Sequence, residues 1–540
     1  MADILKHLDL NSADGTQLNL DALYQVVPSA FTEVRDDKTG EISRKVNFEV
    51  LRRLLGDHAT DGDGEMYQFT WVGKNAARAE AAKPTDKTLR PVVEDSVDWD
   101  NTKNIYVEGD NLEVLKLLQR SYMGKVKMIY IDPPYNTGND FVYHDDFART
   151  AAEEDIEAGN VDELGYRFRK NTDTNGKFHS DWCSMIYTRL LVARSLLAED
   201  GVIFISIDDN EVRNLRNICD EVFGEHNFVA QLVWERAFSP KNDAKYVSNS
   251  HDYILMYVKQ IEDFTIGRLD RTEEANLRYS NPDNDPRGVW MSSDISVKTY
   301  NAACDYPITT PSGKIVEPPA GRCWSLSAKA FAERLQDNRI WFGPNGDNTP
   351  RIKRFLSELK YEGMAPTSIL FYKEVGHSQE GAQEVVSLFG DKGVFDGPKP
   401  VRLLQRLITL ANLKEDSIVL DFFSGSASTA HALMKTNSEK DKHCQFILVQ
   451  LPEEVSDSKK DQGYKNICEI GKERIRRAGA KIKADFPLTT QNLDTGFRVY
   501  RLDESNYEKV SISPKEYKQD QLDLFANNIK ADRTDLDLLY

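Results

Sequence analysis

Apolar positions along most of this chain come in short unbroken runs that alternate with stretches of helical spacing. Ile105-Tyr106-Val107 meets the polar turn Glu108-Gly109-Asp110-Asn111, after which Leu112, Leu115, Leu117 and Leu118 recur as one face of a helix. A second run, Val126 to Ile131, stops at Asp132-Pro133-Pro134-Tyr135, because proline has no N–H to give to a ladder. Helical spacing returns from Trp182 to Leu197 and leads through Asp200-Gly201 into Val202 to Ile207, with a further strand at Tyr253 to Val258. After an interruption come the helix Val401 to Ala411, the strand beginning at Ser417, and a helix over Ala430 to Lys435. Such nearly continuous apolar runs predict strands buried on both faces, so the fold class is α/β with a doubly wound, mainly parallel sheet.

The flanks read differently. Residues 1–60 are predicted helical, from Leu18 to Val26 and Val46 to Leu55, with a short strand at Gln68 to Val72 and a helix leading into a linker over Lys74 to Thr88. Between about 228 and 398 the alternation fades, and aromatic and basic residues interleave at Trp234-Glu235-Arg236, Lys241 to Tyr246, Arg322-Cys323-Trp324 and Arg351-Ile352-Lys353-Arg354. A basic helix is predicted over Lys465 to Lys483, a strand over Gly496 to Leu502 and a helix over Asp520 to Ile529. The expected domains are 1–95, 96–227, 228–398, 399–485 and 486–540.

Composition narrows the classes. The net charge of −18 excludes a protein coated in basic surface, so any nucleic-acid contact must rest on local cations; charge nearly balances within 228–398. No apolar run is long enough to span a bilayer, and a cytoplasmic location is expected. The six cysteines are scattered as buried, reduced thiols, and no His/Cys grouping has ligand spacing, so no metal is expected. The acidic tract from Asp145 to Glu163 reads as a solvated flap.

Two stretches carry chemistry. Asp132, Pro133, Pro134 and Tyr135 form a stiff loop at a strand's carboxyl end, where open α/β sheets bind ligands. The amino group of a nucleobase is a poor nucleophile, because its lone pair is delocalised into the ring. A carboxylate (Asp132) accepting one N–H and a fixed carbonyl (Pro133) accepting the other would free that pair, while Tyr135 offers a stacking face for a base swung out of its helix. At Asp421-Phe422-Phe423-Ser424-Gly425-Ser426-Ala427-Ser428-Thr429, a strand, a small-residue turn and a helix make a cradle whose backbone a ligand can approach closely. Lacking the dinucleotide fingerprint and a P-loop lysine, it does not favour phosphate binding. Asp110 suits either a nucleoside hydrogen bond or a helix cap.

Asp-Pro-Pro-Tyr at 132–135 followed by Phe-Ser-Gly-Ser-Ala at 423–427 resembles the paired motifs of S-adenosylmethionine-dependent DNA amino-methyltransferases, in the circularly permuted order that puts the catalytic loop first. Over roughly residues 70–540, and at Lys74 to Pro91, Asn104 to Asp110, Asn136 to Tyr143 and Phe446 to Glu453, the chain is similar to the modification subunits of type III restriction-modification systems. The resemblance implies N6-adenine methylation of double-stranded DNA, with Asp132, Pro133, Pro134 and Tyr135 holding the adenine and Asp421, Phe423, Ser424, Gly425 and Ser426 binding S-adenosylmethionine. It further implies Lys399 near the methionine end of the cofactor, Asp110 near its adenine, and a target-recognition domain inserted at 228–398. A homodimer that recruits a nuclease-helicase subunit is implied as well. Two positions depart from the pattern. Ala427 replaces the second glycine, which calls for an ordinary backbone angle there, and Gln450 stands in place of the acid that usually meets the ribose. Transfer to cytosine N4, RNA or a protein amide, and a non-catalytic DNA-reading subunit, remain alternatives.

Overall fold

A computed structural model describes residues 12–35, 42–55, 68–138, 141–143, 168–170, 178–240, 242, 244–361, 363–390, 393–460, 462–508 and 529–539. The acidic tract at 145–163 and the helix expected over 520–529 fall largely or wholly outside them.

Two compact units form. The larger comprises residues 1–267 and 367–540, the smaller Arg268–Pro366. Ten strands make the sheet of the larger unit: β1 (Thr88–Pro91), β2 (Ile105–Glu108), β3 (Val126–Ile131), β4 (Leu197–Ile207), β5 (Phe228–Glu235), β6 (His251–Val258), β7 (Ile369–Leu370), β8 (Ile418–Asp421), β9 (Gln445–Gln450) and β10 (Arg498–Asp503). Their order is β7-β5-β6-β4-β3-β8-β9-β2-β10-β1. The central run from β4 to β10 is parallel throughout; β6 pairs antiparallel with β4 and β5, and β1 with β10. The sheet is thus doubly wound and mainly parallel, as the buried runs predict.

Permutation is visible in the register. Strand β3 lies beside β8, with Ile418 opposite Val126 and Leu420 opposite Ile129, although nearly 300 positions separate them in sequence. The two chemistry-bearing loops therefore leave adjacent strands at the same end of the sheet.

Helices cover the sheet in two sets that pack among themselves. One consists of α1 (Lys74–Ala82), α2 (Asn111–Tyr122), α3 (Phe178–Leu196) and α4 (Val212–Phe223), the other of α5 (Ser378–Phe389), α6 (Val401–Leu410), α7 (Ser428–Lys440) and α8 (Ile467–Asp485). Ile129, Ile131, Ile203 and Ile205 join Leu115, Leu190 and Ile218 in one cluster, while the alternate Met128, Tyr130 and Phe204 are buried outside it. A strand points successive side chains to opposite faces, so β3 and β4 bury apolar side chains on both faces because each face has its own helical cover.

The flanks correct the expectations. Residues 12–55 are not all helical: Phe31–Arg35 and Ile42–Val46 form an antiparallel hairpin between the helices Gly15–Val26 and Phe48–Leu55. The β-branched Thr32, Val34, Ile42 and Val46 carry that preference, and the leucines on either side obscure it. Residues 68–72 form no strand, whereas Thr88–Pro91, assigned to a linker, pairs with β10. Residues 228–235, inside the stretch that loses its alternation, are β5 of the central sheet, while the strand expected at Tyr253 to Val258 is present as β6.

The smaller unit has its own core of Ile295, Ile308, Trp324, Phe331, Ile340, Phe342 and Ile352, and a three-stranded sheet in which Arg351–Phe355 lies between Trp290–Asp294 and Ile340–Trp341. Lys353 is buried there, ion-paired to Asp283 and Asp285, so this lysine of the basic run is structural. Arg351 and Arg354 are exposed.

Candidate active site

Asp132 follows directly from the last residue of β3. Pro133 and Pro134 end the ladder, and the indole Nε1 of the buried Trp182 donates to the Pro134 carbonyl at 2.7 Å, which fixes the loop from below. Asn136 then turns the chain with φ +58, a left-handed angle that asparagine tolerates, and its amide donates to the buried Glu211 at 2.6 Å. The hydrogen bonds of Trp182, Asn136 and Glu211 carry no signal in sequence, because the partners lie on different elements.

The carboxylate of Asp132 faces a cation. Oδ2 accepts from Lys399 Nζ at 2.5 Å, while Oδ1 is buried and accepts no hydrogen bond from any described residue. The Lys399 ammonium lies 5.2 Å from the ring centre of Tyr135 and 6.0 Å from that of Trp234, which places it in a partly aromatic box. Burial, with the charge of Asp132, pushes the Tyr135 phenol well above its usual range, so it stays protonated.

The second loop leaves β8. Gly425 has φ +49, and a Cβ there would come within 3.1 Å of the Phe395 ring. Its N–H donates to Gln450 Oε1 at 2.7 Å. Helix α8 approaches the same loop closely because Gly471 has no side chain: a Cβ would lie 2.8 Å from the Tyr106 hydroxyl and 3.2 Å from the Gly425 carbonyl. Ala427, expected at an ordinary angle, instead has φ +61 and ψ 37. The turn from β8 into α7 needs a left-handed residue there, and local hydrogen bonds impose that conformation on alanine at a cost of roughly 1 kcal/mol or more.

Asp132, Pro133, Pro134, Tyr135, Lys399, Phe423, Gly425 and Gln450 line one cavity of about 400 Å³, together with Thr137, Phe395, Gly397, Glu453 and Ile467. Four candidates from the sequence do not line it. Asp110 caps α2, accepting from the Leu112 and Glu113 amides, and pairs with the buried Arg189 at 3.2 Å; of its two readings, the cap is the one observed. Asp421 is buried and accepts from the Phe423 amide at 3.1 Å and the Thr429 hydroxyl at 2.5 Å, which holds the loop's shape. Ser424 donates its amide to the Val449 carbonyl, and the Ser426 hydroxyl accepts from Arg474.

The basic helix predicted over Lys465 to Lys483 turns part of its charge inward. Lys472 is buried against Asp95 and Glu108, and Arg474 is fully buried. All six cysteines are free and buried. Among the described residues no grouping of three or more His, Cys, Asp or Glu could hold a metal ion, and no helix is long and apolar enough to cross a membrane.

Two buried acids flank the Asp132–Lys399 pair. Burial pushes Asp421 up to about 7, with the Asp132 charge adding to the shift and the Thr429 and Phe423 hydrogen bonds opposing it; burial also pushes Asp252 up to about 6 against the pull of Arg236, 2.8 Å away. Both folded values lie above that of an unfolded aspartate, so the folded chain holds protons that the unfolded chain has released. Stability is therefore expected to fall as pH rises from about 4 to about 7, by an amount on the order of a few kcal/mol, and then to level off. Melting temperatures of the parent and Asp421→Asn between pH 5 and pH 8 check this: the variant should show the shallower fall. Equal slopes would mean that Asp421 is ionised throughout.

Comparison with known proteins adds three findings. The family described as DNA methylase matches residues 126–476. The StyLTI Mod subunit of a type III restriction-modification enzyme from Salmonella typhimurium is 36% identical over 519 residues, covering 94% of this chain and 76% of its own. The EcoPI Mod subunit of the type III enzyme from Escherichia phage P1 is 34% identical over 488 residues, covering 82% and 72%.

Proposed function

The chain belongs to the family of type III restriction-modification Mod subunits, and from that premise we propose that the cavity between Asp132 and Gly425 is where it moves a methyl group from S-adenosylmethionine to the N6 amino group of adenine in double-stranded DNA. One observation carries the assignment of the site: a carboxylate with one oxygen on an ammonium and the other unpaired among the described residues opens into the same cavity as a left-handed glycine cradle. Lys399 occupies the place of a donor N–H, which is the chemistry an exocyclic amino group would bring.

When bound, S-adenosylmethionine supplies a methyl group already activated on sulfur. The work left to the protein is positioning. Gly425 and Phe423 form the cradle, and Gln450, neutral at the end of β9, holds the Gly425 amide and faces the cavity with Glu453. Asp132 accepts one N–H of the adenine and the Pro133 carbonyl the other, so the nitrogen lone pair is directed at the methyl carbon. Tyr135 stacks on the flipped base. Asp110, Asp421, Ser424 and Ser426 act from behind, by fixing helix and loop.

Incubation with labelled S-adenosylmethionine and DNA, RNA or protein, followed by nucleoside analysis, tests the assignment. Label in N6-methyladenine of duplex DNA is expected. Label in N4-methylcytosine, RNA or protein, or none at all, overturns it.

Residues 228–398 contain the compact unit Arg268–Pro366, whose exposed Arg351 and Arg354 suit contact with bases and phosphates. Replacing Arg268–Pro366 by the corresponding segment of a relative with another site should transfer sequence choice. Unchanged methylation sites in a folded, active exchange would place recognition elsewhere.

A homodimer that recruits a nuclease-helicase subunit completes the reading. A chain of −18 gains from presenting its few basic surfaces twice to a polyanion. Light scattering at micromolar concentration should give twice the 61.5 kDa of one chain, and 61.5 kDa with methylation intact would refute the dimer.

A further inference from the structure

Behind the cofactor cradle lies a group that the proposed chemistry does not use. Arg474, on α8, is fully buried, and its Nη1 donates to Ser426 Oγ at 2.8 Å and to Ser428 Oγ at 2.7 Å. These two serines flank Ala427, the alanine held at φ +61. The rest of the guanidinium is poorly served: among the described residues Nε and Nη2 are buried without a hydrogen-bond partner, and the carboxylate of Glu384 stands 3.8 Å from Nη2. Glu384 in turn accepts the Val401 amide with both oxygens, at 3.0 and 3.2 Å. A buried guanidinium that leaves donors unsatisfied is a poor stabiliser of a core. What it does accomplish is local, since one nitrogen bridges the hydroxyls on either side of a strained residue.

We propose that Arg474 is a positioning residue for cofactor binding, a staple across Ser426 and Ser428 that keeps Ala427 left-handed and so holds Gly425 and its neighbours in the shape of the cradle. The proposal rests on the assignment of that cradle to S-adenosylmethionine. A glycine in place of Ala427 would adopt the angle without help. The staple and the alanine are therefore energetically coupled, and the coupling separates positioning from a general structural role.

The test is a double-mutant cycle on the full chain, with S-adenosylmethionine affinity measured by calorimetry. Arg474→Met should weaken binding at least tenfold when residue 427 is alanine, and less than threefold in the Ala427→Gly background. Ser428→Ala removes one arm of the staple without emptying the core; it should weaken binding about threefold with alanine at 427 and leave it unaffected with glycine. If Arg474→Met does not fold, the Ser428 pair alone decides. Equal losses in the two backgrounds overturn the staple. Failure of the unmodified chain to bind S-adenosylmethionine overturns the cradle assignment itself, a result distinct from equal losses.

Discussion

Asp132→Ala is expected to lower the rate of methyl transfer by about a thousandfold or more, at the upper end of what one positioned polar group contributes, while the dissociation constant for S-adenosylmethionine stays within about threefold. The carboxylate leaves β3 beside two prolines and pairs with Lys399, whereas the Gly425 amide is held by Gln450, so its loss removes the acceptor for the amino group and leaves the cradle's own hydrogen bond standing. In the parent, the Lys399 ammonium already satisfies Oδ2 while Oδ1 is left for an incoming donor. In the variant that ammonium has lost its partner and cannot substitute for the acceptor, because lysine only donates. Asp132→Asn retains one acceptor oxygen in the same shape and should keep more activity than alanine. Single-turnover rates on duplex DNA, with calorimetry on the same preparations, give both quantities. A rate within tenfold of the parent, or a lost cofactor, would move Asp132 out of the role assigned to it.

The parts of this site legible in sequence were those written in consecutive residues. A β-branched run stopped by two prolines places Asp132 at a strand end, and the small-residue turn after Leu420 places Gly425; both loops lie where the pattern puts them. The adjacency of β3 and β8 is what the permuted order implies, since a doubly wound sheet whose ends lie close can be cut at a different loop without moving its strands. What stayed hidden depends on partners far apart in sequence. Lys399 lies 267 positions from the Asp132 it pairs with, and Trp182 is 48 from the Pro134 carbonyl it holds. The polar residues of α8 look like a solvated face by composition, yet Arg474 and Lys472 point inward because Ser426, Ser428, Glu108 and Asp95 await them on other elements. Ala427 was misjudged for the same reason. Intrinsic preference speaks against a left-handed alanine, and only the surrounding contacts impose it.

Gly425→Asp is expected to weaken S-adenosylmethionine binding by about a hundredfold or more, and with it to abolish methylation, through three effects that act together. At φ +49 the backbone of residue 425 is in the left-handed region, which aspartate adopts at a cost of roughly 1 kcal/mol. Its Cβ would lie 3.1 Å from the Phe395 ring, so either the ring or the loop must shift, and the Gly425 amide that donates to Gln450 would shift with the loop. The new carboxylate would then stand in a cavity of about 400 Å³ that Asp132 and Glu453 already line, taking up volume and adding a third acid. Angle and crowding alone amount to a few kcal/mol, on a scale where 1.4 kcal/mol is a factor of ten in affinity. Gly425→Ala separates the contributions, since it keeps the contact with Phe395 and most of the strain but adds no charge, and an intermediate loss of about tenfold is expected. Calorimetry on both variants, with melting temperatures to confirm folding, gives the comparison. Undiminished cofactor binding in a folded Gly425→Asp would show that S-adenosylmethionine does not lie against this turn, and the cradle would have to be sought at another strand end of the same sheet.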